Sequence, residues 1–316
     1  MGIPKVLLGN TGIQVSKLCF GTLTISPLQC AFSIDKGADL LRFAIDQGIT
    51  FFDTAEIYQT YDVLHEAVKY KQDIVISSKD YCYDRKTAED SLDRALKAIG
   101  RDYIDIFMLH EQESVHTIRG HWEAVEYLLE RKTKGDVRAV GLSTHHIAAV
   151  KASMDYPDLE IIHPIYNRQG LGVVDGSAAD MLQAIRAASD RGKGIFGMKP
   201  LGGGHLIPTA KEEIQYVNSL PCIDAIAVGM KSREEILYNA ALFAGDPVED
   251  EVEEKLRKQK RNIMVHDWCE GCAACAKACD QSAIKIENGK AVIDRDKCVL
   301  CAYCAKACPM FCIKVV

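Results

Sequence analysis

The sequence lacks the features of a membrane, secreted or nucleic-acid-binding protein. No apolar run among its 316 residues reaches the length of about 20 residues that a membrane span requires. The start, Met1-Gly2-Ile3-Pro4-Lys5, leads directly into polar turn residues, so no secretory signal is predicted. Positive charge is not in excess either, because 38 Lys and Arg face 44 Asp and Glu for a net charge of −6. We therefore expect a soluble protein with no nucleic-acid and no membrane partner.

Cysteine, by contrast, is abundant and regularly spaced. Eight of the 13 cysteines form two copies of one pattern, C-x-x-C-x-x-C-x-x-x-C, and these are Cys269, Cys272, Cys275 and Cys279, then Cys298, Cys301, Cys304 and Cys308. Three cysteines at this spacing let a short loop bind three corners of a cubane iron–sulfur cluster, and the fourth ligand must come from elsewhere. A zinc ribbon usually needs only two pairs of ligands, and a disulfide framework suits a secreted chain.

The two runs resemble the ligand runs of bacterial two-cluster ferredoxins over about residues 266–316. The resemblance implies two [4Fe-4S] clusters, one held by Cys269, Cys272, Cys275 and Cys308, the other by Cys298, Cys301, Cys304 and Cys279. Asp280 stands where this family often has proline, and Cys312 stands where alanine is usual; we interpret Cys312 as a packing residue. Such clusters imply a reducing compartment, so we expect a cytoplasmic location in an organism that avoids oxygen.

The remainder of the chain alternates short β-rich runs with amphipathic stretches of helical periodicity. It opens with a hairpin signature around Gly9-Asn10-Thr11-Gly12. Eight strands are predicted near Leu18–Thr22, Thr50–Asp53, Ile74–Ser78, Ile104–His110, Val137–Leu142, Ile161–Ile165, Gly194–Met198 and Ala225–Val228. Helices fill the intervals, including a single helix over Thr117–Arg131. Eight such alternations predict an α/β fold, the (β/α)₈ TIM barrel, with the hairpin closing the end opposite to the functional site.

The composition predicts three regions. Residues 1–245 have the length of one (β/α)₈ barrel, which is typically about 250 residues. Residues 246–265 are rich in charge and are predicted to form a helical linker. Residues 266–316 carry both cysteine runs and are predicted to form a small α+β ferredoxin-like domain.

Four polar side chains fall at the ends of three consecutive predicted strands: Asp53, Tyr58, Lys79 and His110. Each of them alone has a structural explanation, since an aspartate at a strand end is often a cap and a tyrosine usually packs. Their occurrence together at one mouth of a barrel instead indicates a catalytic site.

These four residues and several further motifs resemble those of the aldo-keto reductases, and the resemblance covers about residues 4–243. The matching motifs are Leu8-Gly9-Asn10-Thr11-Gly12, Phe20-Gly21-Thr22, the segment Asp53–Tyr58, Leu109-His110, Val140-Gly141-Leu142-Ser143, Tyr166-Asn167, Lys199-Pro200-Leu201-Gly202-Gly203-Gly204 and Gly229 to Asn239. The resemblance implies that NADPH or NADH gives a hydride to a small carbonyl substrate, or that an alcohol is oxidised in reverse. Tyr58 would be the general acid. Because its free pKa is about 10, Lys79 would lower it, with Asp53 fixing the lysine and His110 orienting the carbonyl.

The same resemblance implies a set of cofactor-binding residues: Gly21, Thr22, Ser143, Asn167, Lys199, Leu201, Gly203, Lys231, Ser232 and Asn239. Four positions depart from the family, with Thr144, His163, Met198 and Tyr238 standing where Asn, Gln, Tyr and Glu are usual. Lys231 and Ser232 open a basic helix start that suits a phosphate, although an ordinary N-cap is the alternative.

Three interpretations explain why both halves share one chain. In the leading one, the barrel is a nicotinamide-dependent oxidoreductase and the clusters exchange electrons with a redox partner protein or stabilise the chain. In the second, the clusters feed single electrons to a flavin or directly to a substrate in the barrel, because a nicotinamide moves two electrons and a cubane one. In the third, the barrel is catalytically idle and the protein is an electron carrier.

Overall fold

The computed structural model describes residues 2–316 and contains a closed barrel of eight parallel strands. The strand order around the barrel follows the chain, and the last strand pairs with the first. The barrel strands are β3 Leu18–Gly21, β4 Phe51–Asp53, β5 Val75–Asp80, β6 Ile104–Leu109, β7 Val137–Thr144, β8 Ile161–Pro164, β9 Gly194–Met198 and β10 Ala225–Gly229. The predicted (β/α)₈ fold is thus confirmed.

Helices cover the outside of the barrel between successive strands. They are α1 Ile34–Asp46, α2 Tyr61–Tyr70, α3 Arg85–Ile99, α4 Val115–Gly120, α5 Trp122–Lys134, α6 Ile147–Ser153, α7 Ala178–Ser189, α8 Ala210–Asn218 and α9 Arg233–Ala244. The single helix predicted over Thr117–Arg131 is wrong, because α4 ends at Gly120 and α5 starts after His121. Glycine is a poor helix former, which accounts for the break. None of the helices within residues 2–316 is long and apolar enough to cross a membrane.

The N-terminal hairpin, β1 Lys5–Leu7 and β2 Gln14–Ser16, closes the barrel at the N-terminal ends of the strands. Its turn lies on the loop before β9, where the Asn10 amide donates to the Gly192 carbonyl at 3.0 Å. Gly9 has a φ of +48°, and a Cβ there would come within 2.4 Å of the Gly194 nitrogen. The turn therefore requires glycine at this point. With that end closed, the C-terminal ends of the strands form the open mouth.

The cysteine region forms a small α+β unit after a charged helix, α10 Asp250–Lys258. Its elements are β11 Ile263–Val265, α11 Ala274–Lys277, β12 Ile284–Glu287, β13 Lys290–Ile293, α12 Tyr303–Ala307 and β14 Ile313–Val315. Strand β11, at the end of the predicted linker, pairs antiparallel with the last strand, β14. The second hairpin pairs β12 with β13. The expected small C-terminal domain is therefore present.

This domain is seated on the open mouth of the barrel through β14 and the residues before it. The His205 ring donates from Nε2 to the Ile313 carbonyl at 2.9 Å. The Phe311 ring lies beside Gly172 and Gly203, with no room for a side chain at Gly172. A Cβ on Gly204 would lie 1.9 Å from the Val315 oxygen, so the two backbones are in direct contact.

We expect Gly204→Ala to destabilise the protein more than Gly245→Ala does. Both glycines have positive φ, +90° and +73°, so each alanine costs about 1–2 kcal/mol of backbone strain. Only Gly204 also faces β14, whereas nothing lies within 4 Å of the added Cβ at Gly245. Denaturant midpoints of the two variants, measured on cluster-loaded protein, check this. Equal losses would contradict the close packing of the C-terminal strand on the barrel.

Candidate active site and metal centre

Asp53 and Lys79 form a buried ion pair at the mouth of the barrel. Asp53 ends β4, and Lys79 lies on the adjacent parallel strand β5. The lysine Nζ donates to the two carboxylate oxygens at 2.7 and 2.8 Å and to the Thr54 carbonyl at 2.8 Å. Burial raises the pKa of Asp53, but Lys79 and His163 more than offset it and lower the pKa to about 2. Asp53 is therefore ionised, and it balances the lysine charge.

Tyr58 lies beside this pair, in a short 3₁₀ turn that follows β4. Lys79 Nζ is 5.1 Å from the centroid of the Tyr58 ring. Burial raises the pKa of Tyr58 well above its ordinary value, and the carboxylates of Asp53 and Glu111 raise it further. This is opposite to the lowering by Lys79 that was expected, because burial is the largest effect and the nearby carboxylates add to it. The phenol consequently stays protonated and able to donate.

His110 follows β6 directly and completes the group of four. Its ring lies edge-on to Tyr58, with 6.0 Å between centroids, and stacks on Tyr81 at 4.5 Å. Burial lowers the pKa of His110 well below its ordinary value, and the Lys79 charge adds to this, so the imidazole is neutral. Within residues 2–316 its buried Nδ1 has no hydrogen-bond partner. The four residues selected from the sequence thus lie together, and one of them has a free polar atom.

His163, noted only as a departure from the family, is part of the same cluster. It lies on β8, is buried, and its Nε2 is 3.7 Å from an Asp53 oxygen. Its Nδ1 hydrogen-bonds the Phe196 carbonyl at 2.6 Å, which fixes the ring, and the ring stacks on Phe196. Its position near the C-terminal end of β8, across the barrel from β4, is the sequence signal that could have identified it.

A cavity of about 590 Å³ opens from this cluster and runs beneath the cysteine domain. This is within the range of about 300–1,000 Å³ typical of ligand pockets. Asp53, Tyr58 and His163 line one part, while Asn239 and Arg257 line another. The residues Lys314 to Val316 of the C-terminal strand also line it. The cavity is therefore built by the barrel, by helix α10 and by the cysteine domain together.

Of the ten residues expected at the cofactor, six line this cavity: Gly21, Lys199, Leu201, Gly203, Lys231 and Asn239. The Oδ1 atom of Asn239 is buried and has no partner among the described residues. An unpaired buried acceptor carries a free-energy cost that a ligand donor would remove. The geometry of this group fits a bound molecule.

The other four residues do not line the cavity and make hydrogen bonds within the protein. Thr22 bonds Thr60 at 2.8 Å, and the Ser143 hydroxyl accepts from the Glu111 amide at 2.9 Å. Asn167 holds the loop at Leu171 through two 2.9 Å bonds.

The remaining one, Ser232, caps helix α9, with its hydroxyl accepting from the Glu235 amide at 3.2 Å. The Glu235 carboxylate accepts from the Lys231 amide at 2.7 Å and pairs with Arg261 at 2.8 Å. Gln259 also donates to the Ser232 hydroxyl at 3.0 Å. The basic helix start expected to hold a phosphate is therefore an occupied N-cap, covered by the segment after α10.

The two cysteine runs fold into the same local shape. Positions two and four after the first cysteine have positive φ in both, at Gly271 and Ala273 and again at Leu300 and Ala302. A short helix then carries the third cysteine of each run.

The fourth cysteine of the second run lies near the first run. Burial raises the pKa of Cys275, and the nearby thiols of Cys308 and Cys269 raise it further. Cys312 also lies here, buried, with its Sγ 3.4 Å from that of Cys308. Conversely, a small cavity is lined by Cys279 of the first run together with Cys298, Cys301 and Cys304.

No three His, Cys, Asp or Glu side chains in residues 2–316 converge closely enough to hold a single ion. A cubane is wider than one ion, so its thiolates stand further apart. The grouping of Cys279 with the second run and of Cys308 with the first run is the crossed ligand set that such a group would need.

Comparison with known proteins matches two families. The sequence model of the aldo/keto reductase family matches residues 17–254, and that of the 4Fe-4S binding domain matches residues 291–314. The chain belongs to the aldo/keto reductase family, a family of oxidoreductases. The resemblance to the aldo-keto reductases and the presence of a 4Fe-4S ferredoxin-type domain at the C-terminal end are thus confirmed.

Curated relatives are distant. Aldo-keto reductase YhdN of Bacillus subtilis is 28% identical over 177 residues, which cover 51% of this chain and 53% of that protein. L-galactose dehydrogenase of Arabidopsis thaliana is 24% identical over 63% of this chain and 66% of its own length. The chain thus spans about half to two thirds of the length of these relatives. The solved structure of aldo-keto reductase AKR11C1 from Bacillus halodurans (holo form) is 18% identical, with a TM-score of 0.63 over 81% of this chain and 96% of that one, which shows the shared fold.

We expect Asp53→Asn to lower the free energy of unfolding by about 3–5 kcal/mol, because it leaves the buried Lys79 ammonium without a charge partner. The double variant Asp53→Asn/Lys79→Met should lose less than Asp53→Asn alone, since it removes both charges. Chemical denaturation of the three proteins measures this. A double variant that is less stable than the single one would show that the unpaired charge of Lys79 is not what destabilises Asp53→Asn.

Proposed function

We propose that the protein is a nicotinamide-dependent oxidoreductase that reduces the carbonyl group of a small substrate, or oxidises the corresponding alcohol. The observation that carries this proposal is the convergence of Asp53, Tyr58, Lys79 and His110 in one cluster, of which Asp53 and Tyr58 line a ligand-sized cavity. Family membership supports the reaction class. Relatives named as reductases and dehydrogenases of small molecules support the substrate class.

Each member of the group has one task in the proposed reaction. The Tyr58 phenol, protonated at neutral pH, donates its proton to the carbonyl oxygen as negative charge develops there. Lys79, held by Asp53, places a positive charge 5.1 Å from the ring centroid and stabilises the phenolate that forms. Neutral His110 donates a hydrogen bond that orients the substrate oxygen. In alcohol oxidation the proton returns to Tyr58.

NADPH or NADH is the proposed cofactor, held by the six cavity residues named above. One of these six, Asn239, has an unpaired Oδ1 that can accept a hydrogen bond from the cofactor. When bound, a reduced nicotinamide supplies the hydride to the carbonyl carbon. Because the start of α9 is capped and covered, its Lys231 amide and Ser232 hydroxyl could bind a cofactor phosphate only if Glu235 and Gln259 moved away.

The eight run cysteines are the proposed ligands of two [4Fe-4S] clusters, with Cys308 and Cys279 exchanged between the runs. When bound, such clusters pass single electrons, here to or from a redox partner protein. Exposed Cys272 and Cys301 place one edge of each site near the surface that a partner would approach. We infer a reducing, cytoplasmic setting in an organism that avoids oxygen from this chemistry.

The position of the cysteine domain on the barrel favours a second candidate function, in which the clusters supply electrons directly to a flavin or substrate in the barrel. The strand that follows Cys308 lines the cavity itself, and buried His163 stands where the family holds the nicotinamide amide. A stoichiometric flavin in anaerobically purified protein would favour this candidate over the first.

We expect Tyr58→Phe to lower kcat for carbonyl reduction by about 10²–10⁴-fold, because it removes the proton donor. Cofactor affinity should stay unchanged, since the ring is kept. Tyr83→Phe, at an exposed tyrosine away from the group, is the matched control and should retain full activity. A Tyr58→Phe protein with wild-type kcat would exclude Tyr58 as the general acid.

Iron and sulfide analysis tests the cysteine assignment. The wild-type chain should hold about eight irons, and Cys301→Ala should lose about four of them. Cys312→Ala should keep all eight, because we interpret Cys312 as a packing residue although it lies beside Cys308. Loss of four irons from the Cys312 variant would make it a ligand, and a wild-type content of four or fewer would overturn the two-cluster proposal.

A further inference from the structure

Two lysines face each other across the junction of the barrel and the cysteine domain. Lys199 lies just after β9, and Lys314 lies on β14; both line the cavity. Lys314 is only 5% exposed. Its position is fixed by close packing, because a Cβ on Gly203 would lie 2.7 Å from the Lys314 Cδ. The cysteine domain thus contributes one cationic side chain, that of Lys314, to the lining of the barrel cavity.

Neither ammonium group has a carboxylate partner within 4 Å among residues 2–316. Lys314 Nζ donates to the Phe311 carbonyl and lies 3.1 Å from the centroid of the Phe311 ring. Lys199 Nζ donates to Nε2 of His145 at 2.7 Å and is 5.9 Å from the same ring centroid. These partners are neutral, so they satisfy hydrogen bonds but leave both charges unbalanced.

The surrounding charges do not remove this imbalance. Asp53 is paired with Lys79, and Glu111, 3.8 Å from His145, is more than 4 Å from both lysine ammonium groups and acts on them only at longer range. Burial lowers the pKa of Lys199 to about 8; Glu111 opposes this shift and Lys79 adds to it. Burial also lowers the pKa of Lys314 well below its ordinary value, with Lys199 contributing. Enclosed positive charge without a counter-charge is costly, and a bound anion would relieve that cost.

We propose that Lys199 and Lys314 bind a phosphate or carboxylate group where the cysteine domain closes the barrel cavity. Two ammonium groups that lie near one aromatic ring suit an anion that reaches both of them. That ring belongs to Phe311, three positions after Cys308, and its centroid is 3.1 Å from Lys314 Nζ and 5.9 Å from Lys199 Nζ. The anion would belong to the phosphates of a nucleotide cofactor or to an acidic group of the substrate. In either case its site is complete only when the cysteine domain is seated.

Isothermal titration of the cluster-loaded, full-length protein with pyrophosphate and with malonate tests this proposal. At least one anion should bind the wild type, and Lys199→Met and Lys314→Met should each weaken it tenfold or more. Lys314→Arg should keep most of the affinity, because it keeps the charge. Lys285→Met, at an exposed lysine of the same domain, is the control and should bind as the wild type does. Absence of anion binding to the wild type, or undiminished binding to both Met variants, overturns the proposal.

Competition with NADH and NADPH identifies the source of the anion. If either nucleotide displaces the anion and also binds Lys314→Met less tightly, the group is a cofactor phosphate. If anion and nucleotide bind together, the group belongs to the substrate. If neither nucleotide binds while the lysine-dependent anion binding persists, the nicotinamide part of the proposed function fails and this site stands. A Lys314→Met protein with a shifted cluster potential but unchanged anion affinity would assign the lysine to the clusters and overturn the anion site.

Discussion

The buried ion pair of Asp53 and Lys79 is the interaction on which the proposed chemistry depends. Parallel strands β4 and β5 bring the two residues together, and the hairpin at the opposite end leaves this mouth as the open one. A lone charge at this depth would be costly, so each residue requires the other. Burial raises the pKa of Tyr58 and lowers the pKa of His110, and the pair adds to both shifts, Asp53 at the phenol and Lys79 at the imidazole, so the phenol stays protonated and the imidazole neutral. Those are the states that a proton donor and a hydrogen-bond donor need.

The second constraint is the direct contact between the cysteine domain and the barrel. Gly203 and Gly204 allow β14 to reach the mouth, and the strand then becomes part of the cavity wall. A domain that served only as a detached electron carrier would not need such a contact. The last strand of the cysteine domain therefore forms part of the wall of the barrel cavity, which links the two halves physically whether or not electrons pass between them.

The sequence predicted the elements whose signals are local. Eight strand–helix alternations gave the barrel, and the strand ends gave Asp53, Tyr58, Lys79 and His110. It could not predict features that depend on how distant segments meet. In the sequence, Lys314 is an ordinary lysine of a short strand, and its burial depends on contacts with Phe311 and Gly203 that only the fold creates. The sequence at the start of α9 favours a phosphate site, but Gln259, some 27 residues later, donates to the Ser232 hydroxyl and covers this helix start. The pKa of Tyr58 likewise depends on the balance between burial and an ion pair, which no motif records.

Anaerobic absorption spectroscopy of the cluster-loaded protein, with NADH or NADPH added first and a small aldehyde second, tests the claim that the barrel is a nicotinamide-dependent carbonyl reductase. We expect the nucleotide to leave the cluster absorption unchanged and to be oxidised once the aldehyde is added, with Tyr58→Phe abolishing that second step. Bleaching of the clusters by the nucleotide without any aldehyde-dependent oxidation would contradict the claim. It would show that electrons enter the clusters and that the barrel is not a carbonyl reductase of the proposed kind.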